Sequence, residues 1–233
     1  ISDSQMGAHD ISVSEMDAAV RSAPYKIGFA PEPWEVITNF QILKAPEVYD
    51  VERMRTIQLF DAQFNMNNKL LGRTMMSHAE KAGTLSKAQH GSRHGLYAAL
   101  VAVGKTLTFD IGRQKKIAGA HTGLDASECY DRMAHPPTLL AMDKHGAPPT
   151  ASRSMIDVLQ NAEHKVTTAY GVSEETYGGK KRKLRGLLPP QGPGQGNGAA
   201  PACCAVQSTE AAGVMESEGH GATLTAPISL ICL

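Results

Sequence analysis

The chain has 233 residues and a mass of 24.8 kDa, which suits one large domain or two small ones at roughly 150 residues each. Hydrophobic residues make up 42%, enough to build a core, so wholesale disorder is excluded. Lys+Arg and Asp+Glu are both 23, which excludes nucleic-acid binding by bulk charge and leaves only a local basic groove.

Aromatic residues are 5%, with a single tryptophan, Trp34, so a stacking platform for single strands is not expected. No apolar run approaches the roughly 20 residues that span a bilayer, so no membrane partner is expected. The opening ISDSQMGAHD lacks a basic start followed by an apolar stretch, the pattern of a secretory leader. The chain starts at Ile1 without a methionine and reads as a fragment or the interior of a longer reading frame. Its cysteines, Cys129, Cys203, Cys204 and Cys232, form no C-x-x-C pair. That pattern suits a reduced intracellular setting, cytoplasmic or nuclear, better than a secreted scaffold.

Residues 1–33 form an unassigned N-terminal segment, with a short helix after Ser14 that ends before Pro24. WEVITNFQIL, 34–43, is rich in β-branched and aromatic residues and predicts a strand. MRTIQLF, 54–60, predicts a second strand, antiparallel to the first. Residues 61–82 carry apolar positions at helical spacing and meet a stop at Gly83. Residues 95–105 predict another helix, and Leu107–Ile111 begin a further one. IAGAHTGLD, 117–125, is small, apolar and then acidic, the pattern of a buried central strand ending at a site. Helices are predicted around 137–145 and 150–164, with Pro148 and Pro149 breaking the chain between them. Residues 165–170 and the arm from Gly171 to Tyr177 read as a hairpin.

A basic run from Lys180 to Arg185 follows, then the Gly/Pro-rich QGPGQGNGAAP, 191–201, then a helix over 202–218 and an approach to a strand in ATLTAPISLICL. The order mixes hairpins with helices, so the expected class is α+β with a largely antiparallel sheet and packed helices.

Three stretches carry candidate chemistry. In LDASECYDR, 124–132, Asp125 ends a predicted buried strand, where an unpaired carboxylate is costly and a hard cation such as Mg²⁺ would offset that cost. The alternative is that Asp125 caps a helix and Asp131 is solvated. In 191–201 the glycines let backbone approach a ligand, and the following helix would aim its N-terminus at an anion; the alternative is a flexible linker. Lys44, Arg55 and Arg93 would grip a triphosphate or a nucleic-acid backbone, or simply be solvated strand-end and loop cations. Lys180, Lys181, Arg182, Lys183 and Arg185 fit a solvated turn or a phosphate-backbone contact. Gly104-Lys105-Thr106 ends like a P-loop, but Ala99 stands where its first glycine is needed.

Four stretches together resemble a reverse transcriptase of the retrotransposon type, in that family's order. MRTIQLFDAQFN, 54–65, resembles the fingers motif with its triphosphate-contacting arginine, here Arg55. AQHGSRHGLYAAL, 88–100, resembles the Q-x-G-x-R-x-G segment. LDASECYDR resembles motif A, and QGNGAAP, 195–201, resembles motif B.

The resemblance covers roughly residues 34–233. It implies the fingers and partial palm of a right-hand polymerase: fingers-like 34–88, palm-like 89–131, fingers-like helices, hairpin and basic loop 132–194, and an incomplete palm-like 195–233. It further implies RNA-templated DNA synthesis by two-metal nucleotidyl transfer, with Mg²⁺ or Mn²⁺, deoxynucleoside triphosphates, an RNA template and a DNA primer.

In that reading Asp125 is catalytic and a metal ligand, and Ala126 offers its backbone carbonyl to the metal. Tyr130 packs under the incoming sugar. Gln195 and Gly196 line the nucleotide pocket, Arg55 holds the triphosphate, and Lys44 assists. The family's paired Asp-Asp after motif B has no counterpart, because no aspartate follows Pro201. The expectation is therefore a polymerase fragment that does not extend a primer by itself. A non-enzymatic nucleic-acid-binding remnant and an unrelated phosphate-binding α+β module are the competing readings. Pro136-Pro137 and Cys203-Cys204 also depart from the family pattern.

Overall fold

The computed structural model describes residues 32–46, 54–119, 129–179, 186 and 190–219. The predicted N-terminal helix, most of the predicted strand 117–125, the basic run and the final apolar segment lie outside the described residues.

A short 3-10 turn, Glu32–Glu35, leads into β1, Val36–Leu43, and β2 is Met54–Leu59. They pair antiparallel with Thr38 opposite Leu59 and Leu43 opposite Met54, as their composition predicts. The helices are α1, Ala62–Ala82; α2, Ala98–Gln114; α3, Cys129–Arg132; α4, His135–Lys144; α5, Pro149–Asn161; and α6, Ala200–Ser217. The remaining strands are β3, Glu163–Thr168; β4, Gly171–Val172; and β5, Tyr177–Gly178. The class is α+β.

The sheet is mixed: three of its four strand pairings are antiparallel, as expected, and one is parallel. Its order is β2-β1-β3-β4, with β5 also on β3. β1 and β3 run parallel, Ile37 beside His164, while β4 and β5 pair antiparallel to β3 and build the expected hairpin. From Leu43, the end of β1, to Glu163, the start of β3, is 120 positions, too far for any local pattern to announce the pairing.

Two helix limits move. The helices expected over 95–105 and from 107 onward are one helix, α2, because nothing from Ala98 to Gln114 breaks it. The helix expected over 150–164 stops at Asn161, since His164 faces the core from β3. Pro148 and Pro149 separate α4 from α5, and Pro149 opens α5. Pro136 and Pro137 do not interrupt a long helix. They open α4, after the single turn of α3.

Helix α1 starts where the Asp61 carboxylate accepts from the amides of Gln63 (2.9 Å) and Phe64 (3.2 Å), and it ends at Gly83 in the left-handed conformation. Its buried stripe, including Phe64, Leu71, Met75 and Ala79, meets Met142 of α4, Met155 of α5 and Val206 of α6 in one core. Trp34 and Phe60 stack obliquely on Phe64 with centroids 5.3 and 5.7 Å away. A polar lock joins α4 to α6. The His145 ring meets the Thr84 hydroxyl at 2.8 Å and Glu210 at 3.1 Å, and Lys144 donates to Glu210 at 2.6 Å. Lys144 and His145 together hold the Glu210 carboxyl below its ordinary range, against the opposing effect of burial. By contrast α2 buries none of its side chains and leaves Leu100, Val101, Val103 and Phe109 exposed.

Candidate functional site

The glycine-rich loop 191–199 is a pinned element, not a linker. The Gln58 amide at the end of β2 donates to the Gln195 carbonyl at 2.7 Å. Asn65, in the first turn of α1, donates through Nδ2 to the Gly196 carbonyl (3.1 Å) and accepts through Oδ1 from the Gly198 amide (2.6 Å). The Gly192 amide donates to the Met133 carbonyl at 2.8 Å. Buried His135 completes the attachment. Its amide donates to Gln191 Oε1 at 3.0 Å, and its Nε2 lies 2.9 Å from the Gly192 carbonyl.

The loop needs glycine where its backbone touches other backbone. A Cβ on Gly192 would come under 3.0 Å from the Tyr130 carbonyl oxygen, and one on Gly196 equally close to the Gln58 carbonyl oxygen. Gly72 lets α1 approach the start of α6, with room for only a tight contact to Ala199 and Ala202.

Five amides of the loop and of the helix start after it are engaged within the protein. The Asn197 and Ala200 amides are spent on the Gly194 and Asn197 carbonyls, and the Ala199 amide on Asn197 Oδ1. Gly192 and Gly198 are engaged as well, by the Met133 carbonyl and Asn65 Oδ1. Asn197, 3% exposed, orients its amide by that bond to Ala199, and its Nδ2 has no partner among the described residues.

Three of the four family-like stretches therefore meet at this loop: 54–65 through Gln58 and Asn65, the end of 124–132 through Tyr130, and 195–201 itself. The fourth, 88–100, attaches one layer away. Gln89 Nε2 donates to the Ala205 carbonyl at 3.3 Å and also to the Ser208 hydroxyl of α6.

The predicted site residues divide accordingly. Gln195 is half-buried and Gly196 exposed, both in the loop. Tyr130 is half-buried in α3, and burial followed by the neighbouring Cys204 and Cys129 raises its phenol above the ordinary value. Arg55 is exposed on β2 opposite Ile42, on the other face of the strand from Gln58. Lys44 is exposed just past β1. Asp125, Ala126, Lys180, Lys181, Arg182, Lys183 and Arg185 lie outside the described residues.

Arg93 is turned inward. Its guanidinium grips both Glu80 oxygens (2.7 and 2.8 Å) and donates to the Ser86 and Gln89 carbonyls (2.9 and 3.0 Å). The hydrogen bond to Arg93 lowers the Glu80 carboxyl, and the same bond raises the Arg93 guanidinium. Arg93 thus fixes the turn 86–93 onto α1.

That turn walls an open groove of about 450 Å³ over α1 and the start of α6. Gly72, Met76, Pro201 and Ala202 give it an apolar floor, and Arg73, Ser77 and Lys81 line one rim, with His94 across from them. The Arg93–Glu80 pair cancels its own charge, and the groove is also lined by Arg73 and Lys81 of α1. They stand two turns apart, about 12 Å along the helix. Arg73 and Lys81 belong to none of the candidate stretches read from the sequence, whereas His94 falls inside 88–100. A signal for the first two is nonetheless there: 73, 77 and 81 recur at four-residue spacing, the polar row beside the buried stripe.

Among the described residues no three His, Cys, Asp or Glu side chains gather in a way that would hold a metal ion. Among them, too, no helix is long and apolar enough to cross a membrane. The chain matches no protein-family model, and no curated protein shows significant similarity to it.

Proposed function

We propose that the chain is the fingers and part of the palm of a reverse transcriptase of the retrotransposon type, and that by itself it binds an RNA template with its DNA primer without extending the primer. The observation that carries the reading is the meeting of the four family-like stretches. They are far apart in sequence, yet Gln58, Asn65, Tyr130 and Gln89 all attach to the loop 191–199 or to the helix it opens. Exposed Arg73 beside an apolar floor supports a nucleic-acid backbone as the occupant of the adjoining groove.

In the intact protein Mg²⁺ or Mn²⁺ would be held by Asp125 and the Ala126 carbonyl, and would supply charge neutralisation at the reacting phosphate of a deoxynucleoside triphosphate. Two metals need more than one carboxylate, and no aspartate follows Pro201, so extension by these 233 residues alone is not expected. That last observation equally favours a second reading, a nucleic-acid-binding remnant of a decayed mobile element.

Fluorescence anisotropy with a labelled RNA–DNA hybrid tests the shared claim. Replacing Arg73 by alanine should weaken binding and reduce the slope of log affinity against log salt by about 1. Absence of binding by the unaltered chain at low salt would refute both readings. Coding sequence continuing in frame past Leu233 into an aromatic-x-Asp-Asp turn supports the polymerase; a stop codon there supports the remnant.

A further inference from the structure

Two cysteines that the sequence separates by 75 residues face each other in the fold. Cys129 Sγ, at the start of α3, lies 3.7 Å from Cys204 Sγ on α6. Both are half-buried and both are free thiols. The adjacent Cys203 points elsewhere, since successive residues on a helix are rotated by about 100°. It is fully buried with its thiol 3.7 Å from Met142 Sδ, so it is walled off from both partners and oxidants.

We propose that Cys129 and Cys204 are a reversible redox pair whose disulfide fastens α3, and Tyr130 with it, onto α6. Closing the pair requires the sulfurs to approach by roughly 1.7 Å, from 3.7 Å to an S–S bond of about 2.0 Å. Cysteine side-chain rotation supplies part of that, and α3 is a single turn. This inference stands on the two sulfurs alone and is independent of the polymerase reading.

The oxidant is a small disulfide such as oxidised glutathione. One protein thiol, as its thiolate, attacks a sulfur of the oxidant, breaks that S–S bond and releases one glutathione thiol. The second protein thiol then attacks the protein-side sulfur of the mixed disulfide and releases the other glutathione. One S–S bond breaks and one forms. The two cysteine protons end on the two glutathione thiols, and the protein sulfurs are oxidised as glutathione is reduced. Burial, followed by the contact with Cys129, pushes the Cys204 thiol up to about 11, so the exchange is slow at neutral pH and speeds up in mild alkali. Cys203, pushed up to about 12 by burial, stays a thiol.

The test is peptide mapping of the unaltered chain after incubation with oxidised glutathione under native conditions. The expected result is a monomer lighter by two hydrogens, with two of its four thiols lost and a single crosslink joining the Cys129 and Cys204 peptides. Dithiothreitol should restore all four thiols. Cys129→Ser and Cys204→Ser should each abolish the crosslink, whereas Cys203→Ser should retain it. A crosslink through Cys203 or Cys232, oxidation that stops at the glutathione adduct, or no thiol loss at all would overturn the proposal. Because the crosslink is mapped on the unaltered protein, poor folding of a serine variant leaves the test intact.

Discussion

Replacing Gly196 by alanine tests whether the loop is held as tightly as its hydrogen bonds indicate. Gly196 has φ near 127°, a backbone conformation that L residues rarely adopt, and an added Cβ would come under 3.0 Å from the Gln58 carbonyl oxygen. Strain of that kind costs about 1 to 3 kcal/mol. Moving the backbone to relieve it breaks the bonds from Gln58 to Gln195 and from Asn65 to Gly196, each contributing about 1 kcal/mol. The expected loss is roughly 2 to 4 kcal/mol, because relief of strain and retention of the bonds exclude one another in part. For a domain of this size that is a fall in Tm of about 5 to 15 °C by circular dichroism or scanning calorimetry. Gly213→Ala is the control. It lies in α6 with nothing within 4 Å of its added Cβ, so it should be neutral or stabilising by up to about 1 kcal/mol. If both variants melted within about a degree of the unaltered protein, the loop would not be pinned as described.

The Arg93–Glu80 grip predicts that Arg93→Ala destabilises by about 1 to 3 kcal/mol, a value kept modest because Glu80 is partly exposed. Hydrogen exchange should then rise selectively over residues 86–93, and unchanged exchange there would refute the anchoring role. Acid should loosen the fold by a different route. Burial lowers the His135 imidazole despite the opposing bond to the Gly192 carbonyl, and burial likewise lowers His164 despite Glu163. A folded value below the unfolded one of about 6.5 means that the unfolded chain binds the proton first. Stability is therefore complete above pH 6.5 and falls as pH drops through the folded values, by up to about 1.4 kcal/mol per pH unit for each histidine. Glu80 and Glu210, both lowered, lose their contributions only below about 4.5, so melting curves between pH 6.5 and 5 isolate the histidines. His135→Gln should flatten the slope in that window; an unchanged slope would assign it elsewhere.

What the sequence made legible was local. The apolar stripe over 61–82 and the Gly83 stop mark α1 to within one residue. β1 and β2 follow from their β-branched runs. The parallel pairing of β1 with β3 was not legible, because Glu163 comes 120 positions after Leu43 and nothing in either strand specifies the other's direction. The end of α5 was hidden for a related reason. His164 continues an acceptable helical pattern, and only its place beside Asn39 in the core makes the residue a strand position.

The site shows the same division at a finer scale. Gln195, Gly196 and Tyr130 were singled out from the sequence, but Gln58 and Asn65, though inside the stretch 54–65, and His135, outside every stretch, were not. Their role is visible only once the chain has brought β2, α1 and α4 against the loop. Glycine spacing in 191–199 is compatible with an anion cradle or with tight backbone packing, since both require the absence of a Cβ. The outcome is decided by where the amides point. Here the amides of Gly192, Asn197, Gly198 and Ala199 bond to Met133, Gly194, Asn65 and Asn197, so at those positions the backbone serves packing. Arg73 and Lys81 are on α1, the same helix whose Asn65 fixes the loop. One helix thus both sets the loop's position and carries Arg73 beside it, so on the proposed reading changes that shift α1 should disturb loop order and nucleic-acid affinity together, whereas Arg73→Ala should disturb affinity alone.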